Sequence, residues 1–493
     1  MLRALFSKIT KGLRENSFFG NILALMGASV LSQVISIAAS FATARLYTPT
    51  EMGIYSNYTS ILSVIAVVAC LQYTEAIILP DGDRDARNVL GLCASMAAAV
   101  GVLCALVFLP FHGRIAAFMH APELGPWLRL MPVSVLLSAA LAILQIWNSR
   151  RKTLSNTALS NTVQTAASSG SQILMGLEPV HLGGGMILGN FIGRLISAAL
   201  LLWKTLRQEK EPLFAGVDRR GMGAMAVRHR KFLAYIPGAL CDNLGSALPN
   251  LTLTWFFGSA ETGHYSLGYR LLALPLAIVG GSVGQAFMPE ARDAARNGSL
   301  RPLCLRVMEL LLRFACVPFF LLALVAPAMI SFVFGAKWYV AGTYIKWMSP
   351  WLLFQFVYSA MTPIFTVLER QKTYTVFNIL TLCVRFASLT AGGLLGDPVL
   401  SVAFCCISGM LVSMFKCAYI LLLVRVRPVE ILGCYARQIF HALLYAVPTL
   451  ISLIVSGQNM ISASVAILSG CVFLLLELRP ILRSLRTIGK DEG

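Results

Sequence analysis

Seven charged side chains stand inside, or at the edge of, stretches that are otherwise apolar: Arg45, Glu75, Arg194, Asp242, Arg270, Lys346 and Arg385. A charge near the middle of a membrane-spanning helix costs at least about 2.5 kcal/mol on insertion scales, so such residues face a cavity or a partner. Five of the seven are cations, and the chemistry they suit is the holding of an anion. Arginine does this best, because its planar fork meets phosphate or carboxylate oxygens through two parallel hydrogen bonds. The two acids suit other tasks. Asp242 is the candidate for carrying a coupling proton or sodium ion, and it is also read as neutralising Arg385 in the same half of the chain. Glu75, near the end of its stretch, reads as a boundary or gate residue. Arg45 is read either as an anion contact or as a boundary arginine that snorkels. Arg194 is read either as half of a structural pair or as a ligand contact. Arg129, Arg313 and Lys416 lie near span ends, where snorkelling is expected.

Other chemistries find little support in the residue pattern. The 12 cysteines form no CxxC, and most lie inside apolar runs as small buried side chains. The six histidines form no HExxH and no His/Cys cluster, so neither a metal nor a cofactor is expected. Asp81, Gly82 and Asp83 resemble the DxD that holds a metal-bound nucleotide sugar in some glycosyltransferases, but their loop of about eight residues has no nucleotide-binding domain attached.

The elements that must position these charges are membrane helices. The chain has 493 residues, 57% hydrophobic and 13% charged, with a mean hydropathy of +0.74. Soluble domains carry about a quarter charged residues. The formal charge of +18 is not a nucleic-acid footprint, because no soluble basic face accompanies it. Runs long enough to cross a bilayer, roughly 20 residues, fall at 19–44, 53–79, 88–111, 126–148, 155–177, 180–203, 232–257, 263–288, 307–334, 340–368, 373–395, 398–424, 435–456 and 460–478. The fifth is rich in Ser, Thr and Asn, so its polar face must point into the bundle. With a cytoplasmic N-terminus, 30 of the 40 Lys and Arg fall in inside segments and 3 (Arg45, Arg114 and Lys337) in outside loops. That asymmetry fits the positive-inside rule and places both termini in the cytoplasm.

A repeat organises the spans. Glu51, Gly53, Tyr55 and Ser56 recur as Glu261, Gly263, Tyr265 and Ser266, a displacement of 210 residues. Six spans separate the copies, so the halves share one orientation, as in transporters built from parallel repeats. The predicted fold is therefore all-α and polytopic, with about fourteen spans. A basic amphipathic segment (1–17) precedes an N-lobe (18–203), and a basic cytoplasmic linker (204–231) leads to a C-lobe (232–424). A helical hairpin and basic tail (425–493) end the chain. Gly185, Gly189 and Gly193, four residues apart, predict a close helix crossing beside Arg194.

Several segments resemble Wzx-type oligosaccharide flippases of the multidrug/oligosaccharidyl-lipid/polysaccharide (MOP) superfamily. The run ARLYTPTEMG (44–53) is similar to their (T/A)RLYSPEDFG turn. Tyr73 to Pro80 is similar to YELAIVLP, with Thr74 as an extra residue before Glu75. Arg270, Leu271, Leu272 and Pro275, followed by Gly284 and Gln285, resemble QRLLxLPxxLIGxAVGQ. The likeness covers roughly residues 19–300. It implies alternating access through a cationic inter-lobe cavity, a bacterial inner-membrane location and an undecaprenyl-diphosphate-linked oligosaccharide as cargo. It also implies contact with membrane lipids, polysaccharide-assembly proteins and a coupling ion. It places Arg45 and Arg270 first among the phosphate contacts.

Rival readings remain. The peptidoglycan lipid-precursor flippase belongs to the same superfamily. A drug/cation antiporter is disfavoured by the excess of buried cations. A membrane-embedded glycan polymerase would carry a sizeable periplasmic loop, whereas the longest outside loop here is 112–125. Cysteines placed in 112–125 are expected to react with an impermeant thiol reagent on intact spheroplasts, and those at 210–220 only after lysis. Reversed labelling would overturn the orientation.

Overall fold

The computed structural model describes residues 17–177, 181–209, 211–275 and 281–491. The expected amphipathic segment 1–17 lies outside the described residues apart from Ser17. Among the described residues the regular structure is helical, with no strand. The first half contains α1 (Ser17–Leu46), α2 (Pro49–Ala69), α3 (Asp83–Phe118), α4 (Met131–Arg150), α5 (Leu154–Gly176), α6 (Gly185–Gln208), α7 (Arg219–Arg228), α8 (Ile236–Phe257) and α9 (Ser259–Pro275). There follow α10 (Gly281–Arg296), α11 (Leu300–Phe334), α12 (Tyr339–Met361), α13 (Gln371–Leu394), α14 (Pro398–Leu423), α15 (Pro428–Ser456) and α16 (Met460–Asp491). Nine helices among the described residues are long and apolar enough to cross a membrane. The chain divides into two compact units that meet in sequence at Gly263 and His264.

Local chemistry explains the turn into α2. Thr48 is its N-cap and Pro49 opens the helix, where a missing N–H costs nothing. The Thr48 hydroxyl accepts from the Glu51 N–H, and the Glu51 carboxylate accepts from the Thr48 N–H at 2.7 Å, a capping box. The other Glu51 oxygen lies 2.8 Å from His181 Nε2. Tyr47, fully buried, donates to the Gln172 carbonyl at 2.7 Å. The ARLYTPTEMG run is thus a built corner.

The second predicted span, 53–79, is corrected. Its helix stops at Ala69 because Leu71 and Gln72 take left-handed backbone angles, φ 46° and 61°, which end the helical ladder. Tyr73–Ile78 then wind as a separate 3₁₀ turn. The carbonyls of Ile78 and Pro80 at its end are capped by Arg150. Of the predicted span 263–288, the part to Pro275 belongs to α9 and the part from Gly281 to α10, and residues 276–280 lie outside the described residues.

The weak fifth span behaves as its composition requires. Asn156, Ser160, Ser168, Ser169 and Gln172 of α5 are buried, and Ser160 and Ser197 of α6 share a hydrogen bond at 2.7 Å. Backbone approach makes this possible. A Cβ on Gly189 would lie 2.8 Å from the Gln172 nitrogen, and one on Gly193 would lie 1.9 Å from Ser168 Oγ and 2.8 Å from the Gln164 carbonyl. The glycine ladder read from the sequence is therefore the seam between α5 and α6.

In the second unit α11 packs against α12, α15 and α16, and α14 packs against both α12 and α13. Trp351 and Tyr344 of α12 are buried there, with Gly409 of α14 against the Trp351 ring. Three ion pairs bind the final hairpin to α11: Arg301–Glu430 at 2.7 Å, Arg437–Glu309 at 2.6 Å and Arg313–Glu477 at 2.7 Å.

Gly193→Val forces α5 and α6 apart, and overpacking of this kind typically costs about 1–3 kcal/mol. Thermal unfolding of the purified chain in detergent should fall for this variant. Gly113→Ala serves as the contrast, because nothing lies within 4 Å of its added Cβ. An equal response from the two variants would mean that the seam does not limit stability.

Candidate functional site

The charged residues singled out in the sequence fall in both units. In the first, Arg45 is exposed on the last turn of α1. Glu75 is exposed on the 3₁₀ turn rather than on a span. Arg194 is half-buried in α6, where its Nε donates to Asn190 Oδ1 at 2.9 Å and its Nη1 donates to Ser138 of α4. Asn190 in turn donates to Tyr55 of α2 at 3.2 Å. Arg194 thus rests on neutral acceptors, and no carboxylate pairs with it among the described residues. Asp242 is exposed on α8 and has no ion pair among the described residues.

In the second unit Arg270 is half-buried on α9. Lys346 is exposed on α12 and pairs with no acid among the described residues. Arg385 of α13 lies over the ring of Trp351 at 4.8 Å, a cation–π contact, and the same ring stands 6.2 Å from Tyr269 of α9.

Helix bounds refine the depths. Arg194 and Arg385 each lie nine residues from the charge-poor ends of their helices, about 14 Å in. Asp242 lies about 22 Å from that end of α8. Arg194 and Arg385 thus stand equally far from the charge-poor ends of their helices, and Asp242 stands further in. Lys416, expected to snorkel, is buried, with its Nζ 4.8 Å from the Tyr358 ring centre.

The two copies of the repeat touch within the first unit. A Cβ on Gly53 of α2 would lie 1.7 Å from the Ser259 carbonyl oxygen, and one on Gly263 of α9 would lie 1.8 Å from that of Pro49. Pro49 and Ser259 are themselves 210 residues apart, so each glycine meets the carbonyl four residues before its counterpart. Such reciprocity is the mark of a local two-fold axis. A polar ladder runs below this crossing. Asn57 donates to Thr254 at 2.6 Å, Thr254 and Thr262 share a hydrogen bond at 2.6 Å, and Asn250 donates to Ser60 at 2.9 Å. Sequence reasoning passed over these residues, although Ser56, Asn57 and Ser60 already mark one polar face at helical spacing in an apolar run.

At the basic end of the first unit a cavity of about 550 Å³ is lined by an ionic network. Arg151 grips Glu209 through two hydrogen bonds of 2.7 and 2.8 Å, and Trp147 donates to the same carboxylate at 2.9 Å. Arg87 pairs with Glu211. Asp83 takes Arg150 at 3.2 Å and Arg151 at 2.9 Å. Burial opposes its ionisation, but those two guanidiniums hold the carboxyl below the usual carboxylate range. The DxD-like acid is thus occupied by arginines and makes a poor metal donor.

Residues 42–342, more than half of the chain, match the model of the polysaccharide biosynthesis protein family. Over 153 residues the chain is 28% identical to the teichuronic acid biosynthesis protein TuaB of Bacillus subtilis (strain 168), a stretch that covers 29% of this chain and 29% of that relative. Among solved structures the fold is similar to the lipid II flippase MurJ in an inward closed conformation, with TM-score 0.69 and 11% identity over 93% of this chain and all (100%) of that one. It is also similar to an inward-facing multidrug resistance MATE family transporter of the MOP superfamily, with TM-score 0.62 and 12% identity over 82% and 98% of the two chains. At such identities these likenesses concern the fold, which is the all-helical fold of MOP-superfamily transporters. The Wzx-type segments lie largely inside the family match, and on that match the chain belongs to the polysaccharide biosynthesis protein family.

Proposed function

We propose that this protein is a flippase that carries an undecaprenyl-diphosphate-linked oligosaccharide from the inner to the outer leaflet of a bacterial inner membrane. The observation that carries the reading is Arg194, a cation inside a span held by neutral acceptors and paired with no carboxylate among the described residues. An uncompensated guanidinium at that depth is costly. An anionic cargo that passes it offsets the cost, and a diphosphate presents oxygens suited to the arginine fork. Lys346 adds a second cation without an acid partner among the described residues. Cationic drugs would meet repulsion from such groups.

In this reading both termini are cytoplasmic and the charge-poor helix ends face outward. The Gly53–Gly263 crossing then closes the outer end, and alternating access requires it to part. Arg45, Arg270 and Arg385 join Arg194 and Lys346 as phosphate contacts along the path. Asp242, without an ion pair among the described residues, is the carboxylate placed to take up a proton or sodium ion as the cycle turns, and Glu75 borders the inner entrance. A peptidoglycan lipid precursor shares the diphosphate, so the same cations would serve it. What separates the two cargoes is the glycan lost from the surface when the gene is deleted.

Removing a charged hydrogen-bond partner costs about 1.5–3 kcal/mol, roughly ten- to a hundredfold in an equilibrium constant. In a glycan-export complementation assay at matched membrane levels, Arg270→Ala should fail and Arg270→Lys should retain partial function. Asp242→Asn should abolish export if it carries the coupling ion. Full complementation by a normally expressed Arg270→Ala would remove Arg270 from the path.

A further inference from the structure

The second unit contains a cavity that the proposed function does not use. It measures about 480 Å³ and lies between α11 and α15, lined by Arg306, Glu309, Arg313, Arg437 and His441 with Phe440 and Leu310 at its rim. Arg437 pairs with Glu309, and Arg313 is gripped by Glu477 of α16 through contacts of 2.7 and 3.1 Å. Arg306 makes no ion pair and no hydrogen bond among the described residues. Among the described residues three guanidiniums face two carboxylates and one positive charge is left uncompensated; all three arginines are exposed, and Arg306 is the one without an ion pair.

Depth identifies the medium around this cavity. Measured from the charge-poor ends of their helices, Arg437 lies about 28 Å in, Arg313 about 32 Å and Arg306 about 42 Å. A hydrocarbon core is about 30 Å thick, so Arg437 and Arg313 stand where hydrocarbon gives way to headgroups on the basic side, and Arg306 stands about 10 Å further toward the water. Toward the bilayer the same face of α15 is apolar and exposed: Phe440 is 70% exposed and Leu444 59%. A cationic hollow at headgroup depth, bordering an apolar face at acyl-chain depth, complements one amphiphile of negative head and hydrocarbon tail. The volume is that of a small-molecule pocket. It holds one phosphate headgroup but not a diphosphate followed by a chain of sugars.

We infer that this cavity binds the headgroup of an anionic phospholipid of the basic-side leaflet, with Arg306 as its principal contact and Arg437 and His441 on the facing helix. Basic pockets between membrane helices on that side are suited to such headgroups. The bound lipid bridges α11 and α15 and adds to the three ion pairs that fasten the last two helices. The site is separate from the cargo path, and its test does not depend on which glycan is carried.

The probes are phosphatidylglycerol, phosphatidylcholine, undecaprenyl phosphate and inorganic phosphate, each added to the purified full chain in detergent. Thermal unfolding and native mass spectrometry report stabilisation and bound lipid. Phosphatidylglycerol should stabilise the parent and remain bound, and phosphatidylcholine should do so far less. Arg306→Gln should weaken the apparent affinity for phosphatidylglycerol about tenfold or more while its lipid-free unfolding temperature stays that of the parent. Arg296→Gln, an exposed arginine of α10, should leave the affinity unchanged. Equal effects of the two phospholipids, or of the two variants, would overturn the site. Stabilisation by undecaprenyl phosphate alone would reassign it to the cargo, and reproduction of the effect by inorganic phosphate would reduce it to an ion site.

Discussion

Two backbones pass so closely at Gly53 and Gly263 that neither position has room for a single carbon more. This constraint organises the first unit. Each glycine admits the carbonyl oxygen that begins the partner helix, and the contact is reciprocal because the two segments are copies of one another. The helix starts at Pro49 and Ser259 are thereby fixed against each other. Below the crossing, polar side chains bond to one another: Asn57 with Thr254, Thr254 with Thr262, and Asn250 with Ser60. The crossing and its ladder are therefore adjoining contacts between the same two segments.

The opposite end of the same unit is held by charge. Arg87, Arg150 and Arg151 gather Asp83, Glu209 and Glu211 into a network that binds the linker to the ends of α3 and α4. The side chains of Arg87 and Glu209 are both buried, and removing either one leaves the other less compensated. Three acids of the first unit are thereby engaged at the basic end. Arg194 is left to neutral acceptors inside its span, and this division of charge favours an anionic cargo.

Much of this was legible in the sequence, for particular reasons. The seam between α5 and α6 followed from glycines four residues apart, because that spacing places all three on one helix face. The burial of the polar face of α5 followed from the cost of showing it to lipid. The repeat at a displacement of 210 was visible, but a displacement does not say which faces meet, so the mutual contact of its glycines was not. The break after Ala69 was hidden because Leu71 and Gln72 are not residue types that announce a left-handed backbone. Asp83 looked like half of a metal-binding motif and Arg150 and Arg151 like topology signals, and only their proximity turned them into one ionic cluster. Lys416 was read by its distance from a span end, which takes no account of the Tyr358 ring that holds it inside.

In the proposed transport cycle the glycine crossing is a closure that must open for cargo to leave. The direct measurement replaces Asn57 and Thr254, whose side chains meet at 2.6 Å, by cysteines and follows glycan export before and after oxidation. Each single variant should export, as should the reduced pair. Oxidation of the pair should stop export, and a reductant should restore it. Undiminished export from a fully crosslinked pair would show that this end never opens, and the account of the crossing as a transport closure would be wrong.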